Sequence, residues 1–105
     1  MRSILTILIF LSGSLLLGQG KAVVTGTITD AANGKPMIAV NISVDRRSGT
    51  ISDLAGRYSL TMAEGRHVIE FYYVGFEAIK KEINIESGEN IRLDIQMILS
   101  STILD

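Results

Sequence analysis

The chain has 105 residues, 47% of them apolar, with a mean hydropathy of +0.34 and a formal net charge of −1. That length has room for one domain. The faintly acidic balance excludes a nucleic-acid surface, which needs clustered Lys and Arg to displace counterions, and the absence of cysteine excludes disulfides, a lipidated cysteine and thiolate metal sites.

The apolar excess is uneven. Residues 4–17, ILTILIFLSGSLLL, carry no charge, follow Arg2 and give way to Gly18, Gln19 and Gly20. A basic start, a short apolar stretch and a small-x-small exit read as a cleavable signal-peptide helix over residues 1–20. The stretch is shorter than the about 20 residues of a membrane span; the alternative is an uncleaved short anchor. Removal after Gly20 leaves residues 21–105, with nine basic against eleven acidic side chains and a net charge of −2. Such an exported domain must be held by its core alone.

From residue 22 onward the pattern has period two. VVTGTIT places Val24, Gly26 and Ile28 on one face and Val23, Thr25, Thr27 and Thr29 on the other. Asp30 to Pro36 is dense in turn formers, and Asn33–Gly34 is a strong hairpin or loop signal. MIAVNISV alternates with Ile38, Val40, Ile42 and Val44 facing in. A polar interval, DRRSG, leads to a short strand at Thr50–Ser52, and Asp53–Gly56 forms a turn before RYSLTM resumes with Tyr58, Leu60 and Met62 on one side. HVIEFYYVGF is rich in β-branched and aromatic residues, with Ile69, Phe71 and Tyr73 in alternation and Gly75 as a bulge or close backbone approach. EAIKKEINI alternates Ile79, Ile83 and Ile85, and IRLDIQMIL sets Ile91, Leu93, Ile95, Met97 and Leu99 on one face. These are seven short strands and no helix beyond residue 20, the pattern of an all-β, two-sheet sandwich.

The residue inventory speaks against catalysis. The single histidine, His67, begins a strand beside Arg66 and reads as a surface residue, because acid–base work needs a positioned partner and a pocket. No G-x-S-x-G places a serine on a strained turn, and no glycine-rich loop has phosphate-binding spacing. Asp30, Asp45 and Asp53 stand at strand ends and could meet a calcium ion by folding, but the spacing of a calcium loop is absent. No cofactor and no metal are expected. Of Tyr72 and Tyr73, one must face away from the core, where it can anchor a protein partner or a sugar or simply cover the sheet.

Residues 23–99 carry a likeness. Gly26, Ile28 and Asp30, then Gly34 and Pro36, then Gly49, Thr50, Asp53, Gly56, Tyr58 and Leu60, and finally Gly75 and Phe76 follow one order and spacing. In these features the chain resembles the carboxypeptidase regulatory-like domain, a transthyretin-like Greek-key β-sandwich. Ile51 and Ser52 depart from it, standing where a small residue and Thr are usual, and Tyr72 stands where Ser is common. The resemblance implies structural turns at Asn33, Gly34, Asp53, Gly56 and Gly75 rather than an active site. Asp53 should accept hydrogen bonds from the backbone two or three residues on, Gly56 should take a conformation closed to bulkier residues, and the two flanking strands should pair.

In exported proteins of the Bacteroidetes type this domain often precedes the plug of TonB-dependent outer-membrane receptors, which take up large nutrients. The resemblance therefore implies a non-catalytic module in the periplasm or at the outer membrane, 21–99, the N-terminal extension or a fragment of such a receptor. Residues 100–105, ending STILD, resemble the start of the segment that TonB contacts. Its partners would be proteins, the receptor's plug or barrel and TonB itself. The alternative is a free-standing carbohydrate-binding or adhesion module presenting Tyr72 or Tyr73.

Overall fold

The computed structural model describes residues 20–101; the expected signal peptide and the last four residues of the TonB-contact resemblance lie outside them. Eight strands follow one another: β1 (Lys21–Asp30), β2 (Asn41–Val44), β3 (Arg47–Ile51), β4 (Arg57–Ala63), β5 (Gly65–Tyr72), β6 (Ile79–Ile85), β7 (Asn90–Arg92) and β8 (Ile95–Met97). They form two sheets, one in the order β4-β1-β7 with β8 also paired to β1, the other in the order β3-β2-β5-β6. The protein is an all-β sandwich. Among the described residues no helix is long and apolar enough to cross a membrane, which bears on helices only.

Side-chain alternation builds the layer between the sheets. Ala22, Val24 and Ile28 of β1 meet Tyr58, Leu60 and Met62 of β4 on one side, and Ile42, Ile69, Phe71 and Ile85 of the second sheet on the other, all buried. Tyr58 and Phe71 meet edge-to-face across the sheets, their ring centroids 5.4 Å apart.

Five sequence expectations are corrected. The described residues form eight strands rather than seven, because the last expected strand breaks between Arg92 and Ile95. Both pieces keep one register against β1, Val23 opposite Asn90 and Ile28 opposite Ile95. At the break Gly26 passes so close to Leu93 that a Cβ would lie 1.9 Å from its carbonyl oxygen, and the Asp94 carboxylate, not a backbone carbonyl, accepts from the Thr27 N–H at 2.9 Å. Second, the strands on either side of Asp53–Gly56 do not pair: β3 lies beside β2 and β4 beside β1, so this turn carries the chain from one sheet to the other. Period two reports which face is buried and is silent about which sheet a strand joins.

Third, β3 begins at Arg47, because Asp45 and Arg46 alone make the β2–β3 turn, with φ of 52° and 68°. Positive φ at both central residues is the two-residue hairpin geometry whose twist matches the strands. Fourth, Ile38 and Leu99 are exposed rather than inward, at 48% and 63%. Ala39, with φ of 63°, shifts the alternation by one residue, so that Met37 is buried in place of Ile38. Fifth, Gly75, with φ of 89°, sits in a turn closed by Phe76 N–H donating to the Tyr73 carbonyl at 3.0 Å; it is not a strand bulge.

Candidate interaction surface

The turns shape what the sandwich exposes. Asp53 Oδ1 accepts from the N–H groups of Ala55 (2.9 Å) and Arg57 (2.8 Å), and the Gly56 N–H donates to the Asp53 carbonyl. Gly56 has φ of 76°, and its carbonyl accepts from the Ile28 N–H at 2.7 Å. Asp30 does the same work one turn earlier, Oδ1 accepting from Ala32 N–H, while Asn33 Oδ1 accepts from Lys35 N–H and Gly34 takes φ of 74°. The carboxylates of Asp30, Asp45 and Asp53 thus each cap local or cross-strand backbone. Among the described residues no three His, Asp or Glu side chains converge to hold a metal ion.

His67 is not a surface residue. It lies on the inner face of β5, its side chain 15% exposed, with Nδ1 2.6 Å from Asp45 Oδ2 and Nε2 2.7 Å from the Ala63 carbonyl. Both partners are acceptors, so the imidazolium, with two N–H donors, satisfies the site. The bond to Asp45, reinforced by the Ala63 carbonyl, accordingly raises the His67 pKa. The Val68 N–H, first, and His67, second, hold the Asp45 carboxyl below the usual carboxylate range. The arrangement has the Asp–His half of a catalytic triad, but its second nitrogen faces a backbone carbonyl where a nucleophile would stand. It fastens the strained Asp45–Arg46 turn to β5.

Three further residues act where sequence reasoning did not look. Ser52, 2% exposed, accepts from Val40 N–H at 2.9 Å and donates to the Met37 carbonyl at 2.7 Å. A hydroxyl is kept where the resembled family has Thr, which is the one signal that could have found it. The Tyr58 hydroxyl donates to the Leu93 carbonyl, and burial, with the Asp94 charge behind it, pushes its pKa up. Asp94 in turn has its pKa lowered by the Thr27 N–H and then by Arg92.

Apart from Val68, the exposed large apolar residues gather at one end of the sandwich. In the second sheet Ile51, Asn41 and Tyr72 stand opposite one another across β3, β2 and β5, a three-strand row on the solvent face with Ile51 57% and Tyr72 48% exposed. Ile38 and Leu54 flank this row on the loops that follow from Ala39–Ser52 and Asp53–Gly56 pairing. Val74, Ile98 and Leu99 continue it, the Phe76–Leu99 bridge and the Ser100 N–H to Gly75 carbonyl bond tying these loops together. Tyr73 turns inward, half-buried and edge-to-face with Phe76 at 5.8 Å. The opposite end carries Asp45, Arg46, Glu64, Glu86 and Glu89. Of the two tyrosines, Tyr72 is the one presented.

The sequence pattern of the CarboxypepD_reg-like domain matches residues 24–105. Two TonB-dependent receptors of Formosa agariphila are similar: one is 32% identical over 92% of this chain, the other 38% identical over 74% of it. The chain spans only 10% and 7% of their lengths. Solved structures share the fold at low identity. A catechol 1,2-dioxygenase of Acinetobacter radioresistens superposes with a TM-score of 0.64 (9% identity, 89% of this chain, 56% of that one). The TIE protein of Bacillus anthracis gives 0.61 (16% identity, 76% and 17%), and a minor pilin of Streptococcus agalactiae 0.59 (13%, 84% and 48%). Likenesses of this kind show the sandwich and nothing about activity. With the pattern running through nearly all of its described strands, the chain belongs to the CarboxypepD_reg-like domain family.

Proposed function

We propose that this chain is a non-catalytic module of a TonB-dependent outer-membrane receptor, exported and held on the periplasmic side, where it joins the receptor to protein partners during nutrient uptake. One observation carries the reading: 92% of the chain aligns with a tenth of a receptor's length, the relation of a module to its parent. The exposed row at Ile51, Asn41 and Tyr72 supports it, since an apolar end on a small domain is what a neighbouring protein covers. Its one Asp–His pair is closed on a backbone carbonyl, which favours a binding role over a chemical one.

The test is cell fractionation of the tagged chain in a native host, followed by cross-linking from a photoreactive residue at position 72. Recovery in the envelope with a cross-link to a receptor barrel or plug supports the module. Recovery in the cytosol overturns it. The same Tyr72 exposure favours a second reading, a sugar-binding platform; glycan titration with a loss of binding in Tyr72→Ala would replace the first reading with this one.

A further inference from the structure

The sandwich has four free strand edges, and three of them are defended. On β6, Lys81 stands opposite the buried Ile69, a charge on the inward face of an edge strand. The β7–β8 edge is two three-residue strands broken at Leu93–Asp94. The β3 edge is kinked by a register shift opposite Ile42–Ser43. Inward charge, shortness and bulges are the devices that keep edges from pairing with other chains.

β4 has none of them. It runs seven residues in unbroken register against β1, with no Pro, no bulge and no inward charge. The directions of its backbone groups follow from β1. Val23 N–H, Thr25 C=O and Thr27 N–H point to the β7–β8 side, and Ile28 N–H points to Gly56. By alternation, the even residues of β4 bond β1 and the odd ones face outward. Arg57 and Ala63 are already used, by Asp53 and by His67. Ser59 and Thr61 are left, each with an N–H and a C=O directed into open space.

That space is a groove between the free edges of β4 and β3, with a volume of about 670 Å³; Arg47, Gly49, Ser59, Leu60 and Thr61 are among its lining residues, as is Asp45, whose carboxylate is engaged by His67 and the Val68 N–H. It is continued towards Arg57 by a second cavity of about 500 Å³. Gly49 stands at this gap: a Cβ there would lie 2.7 Å from the Ile42 carbonyl oxygen of β2 and 3.1 Å from Leu60 Cδ2. Arg57, on the outer face at the head of β4, has no carboxylate partner among the described residues.

We infer that β4 takes up an extended acidic peptide as an added strand. The peptide would pair with the N–H and C=O groups of Ser59 and Thr61, set small β-branched side chains inward beside Leu60 and Gly49, and place a carboxylate opposite Arg57. The receptor-module reading bears only on which protein supplies the strand.

The test uses the whole chain and the synthetic peptide Ac-Glu-Val-Thr-Val-Glu-amide, read by amide hydrogen exchange and by NMR titration. Millimolar peptide should slow exchange at Ser59 and Thr61 and leave β6 amides unchanged. Thr61→Pro removes an outward N–H that β1 does not use, so the fold should survive while binding weakens at least tenfold. Arg57→Glu, which removes no backbone group, should weaken the acidic peptide and favour its Lys-for-Glu counterpart. Unchanged exchange at Ser59 and Thr61, or equal binding by wild type and both variants, overturns the inference. A peptide-free dimer abolished by Thr61→Pro would assign the edge to a second copy and overturn it too. Because binding is measured on the chain alone, a negative result leaves the receptor assignment standing, and a cytosolic location would leave the binding result standing.

Discussion

Gly34 and Gly56 make a matched pair for measuring what the crossover turn contributes. Their φ angles, 74° and 76°, are nearly the same, but an added Cβ at Gly34 meets nothing within 4 Å. At Gly56 it would lie 2.6 Å from the Ile28 carbonyl oxygen, 3.0 Å from Pro36 Cβ and 3.2 Å from the Met37 nitrogen. That carbonyl accepts from Met37 N–H at 2.9 Å, so relief of the clash must pull on a bond that ties the segment before β2 to β1. Alanine at either position bears the left-handed backbone penalty of about 1–2 kcal/mol. Only Gly56→Ala adds the overpacking penalty of about 1–3 kcal/mol. For a domain of this size each kcal/mol moves the melting temperature by about 4–8 °C. Gly56→Ala should therefore melt below Gly34→Ala by roughly 5–20 °C in a thermal scan followed by circular dichroism, and Gly56→Val lower still. Equal melting temperatures for the two alanine variants would refute the steric account and leave backbone conformation as the whole contribution of Gly56.

Ser52→Ala strips the Val40 N–H and the Met37 carbonyl of their partner in a buried place, a loss of about 2–4 kcal/mol read from the urea midpoint; Ser52→Thr, which keeps the hydroxyl, should stay near wild type. Tyr58→Phe keeps the ring and frees the Leu93 carbonyl, so chemical denaturation should show a loss of about 1 kcal/mol. The His67–Asp45 pair gives a pH signature with two limbs. His67 has its folded pKa raised, so its contribution is complete below the ordinary histidine value and fades as pH rises through the folded one. Asp45 has its folded pKa lowered, so its contribution is complete above the ordinary carboxylate value and fades as pH falls through the folded one. The melting-temperature gap between wild type and His67→Gln should be widest between about pH 4 and about pH 6.5; a gap that widens steadily above neutral pH would contradict the sign.

Period two read the sheets well where both neighbours of a strand are regular. β1 and β4 alternate as Val24, Ile28, Tyr58, Leu60 and Met62 require, and Tyr72 faces solvent while Phe71 does not. It failed where a side chain replaces backbone or a backbone bend resets the count. Asp94 substitutes for a carbonyl and splits one strand into two; Ala39 bends and exposes Ile38. The polar latches were illegible for another reason. Asp45 and His67 are 22 positions apart and Ser52 is 15 from Met37, and nothing local announces a hydrogen bond closed by tertiary packing. The three aspartates at strand ends were visible as a group, and the resemblance implied backbone bonds for Asp53; that Asp45 would spend its carboxylate on the Val68 N–H needed the register.

The parallel pairing of β1 with β7 and β8 has a mechanical corollary. Lys21 enters at the charged end and Ser100 leaves at the apolar end, so the first and last strands lie side by side with their outer tips pointing in opposite directions. Tension applied between those tips acts along the strands, loading the rungs from Val23 to Asp30 together in shear instead of peeling them singly. A sandwich threaded in this way transmits a pull lengthwise while its layers stay stacked.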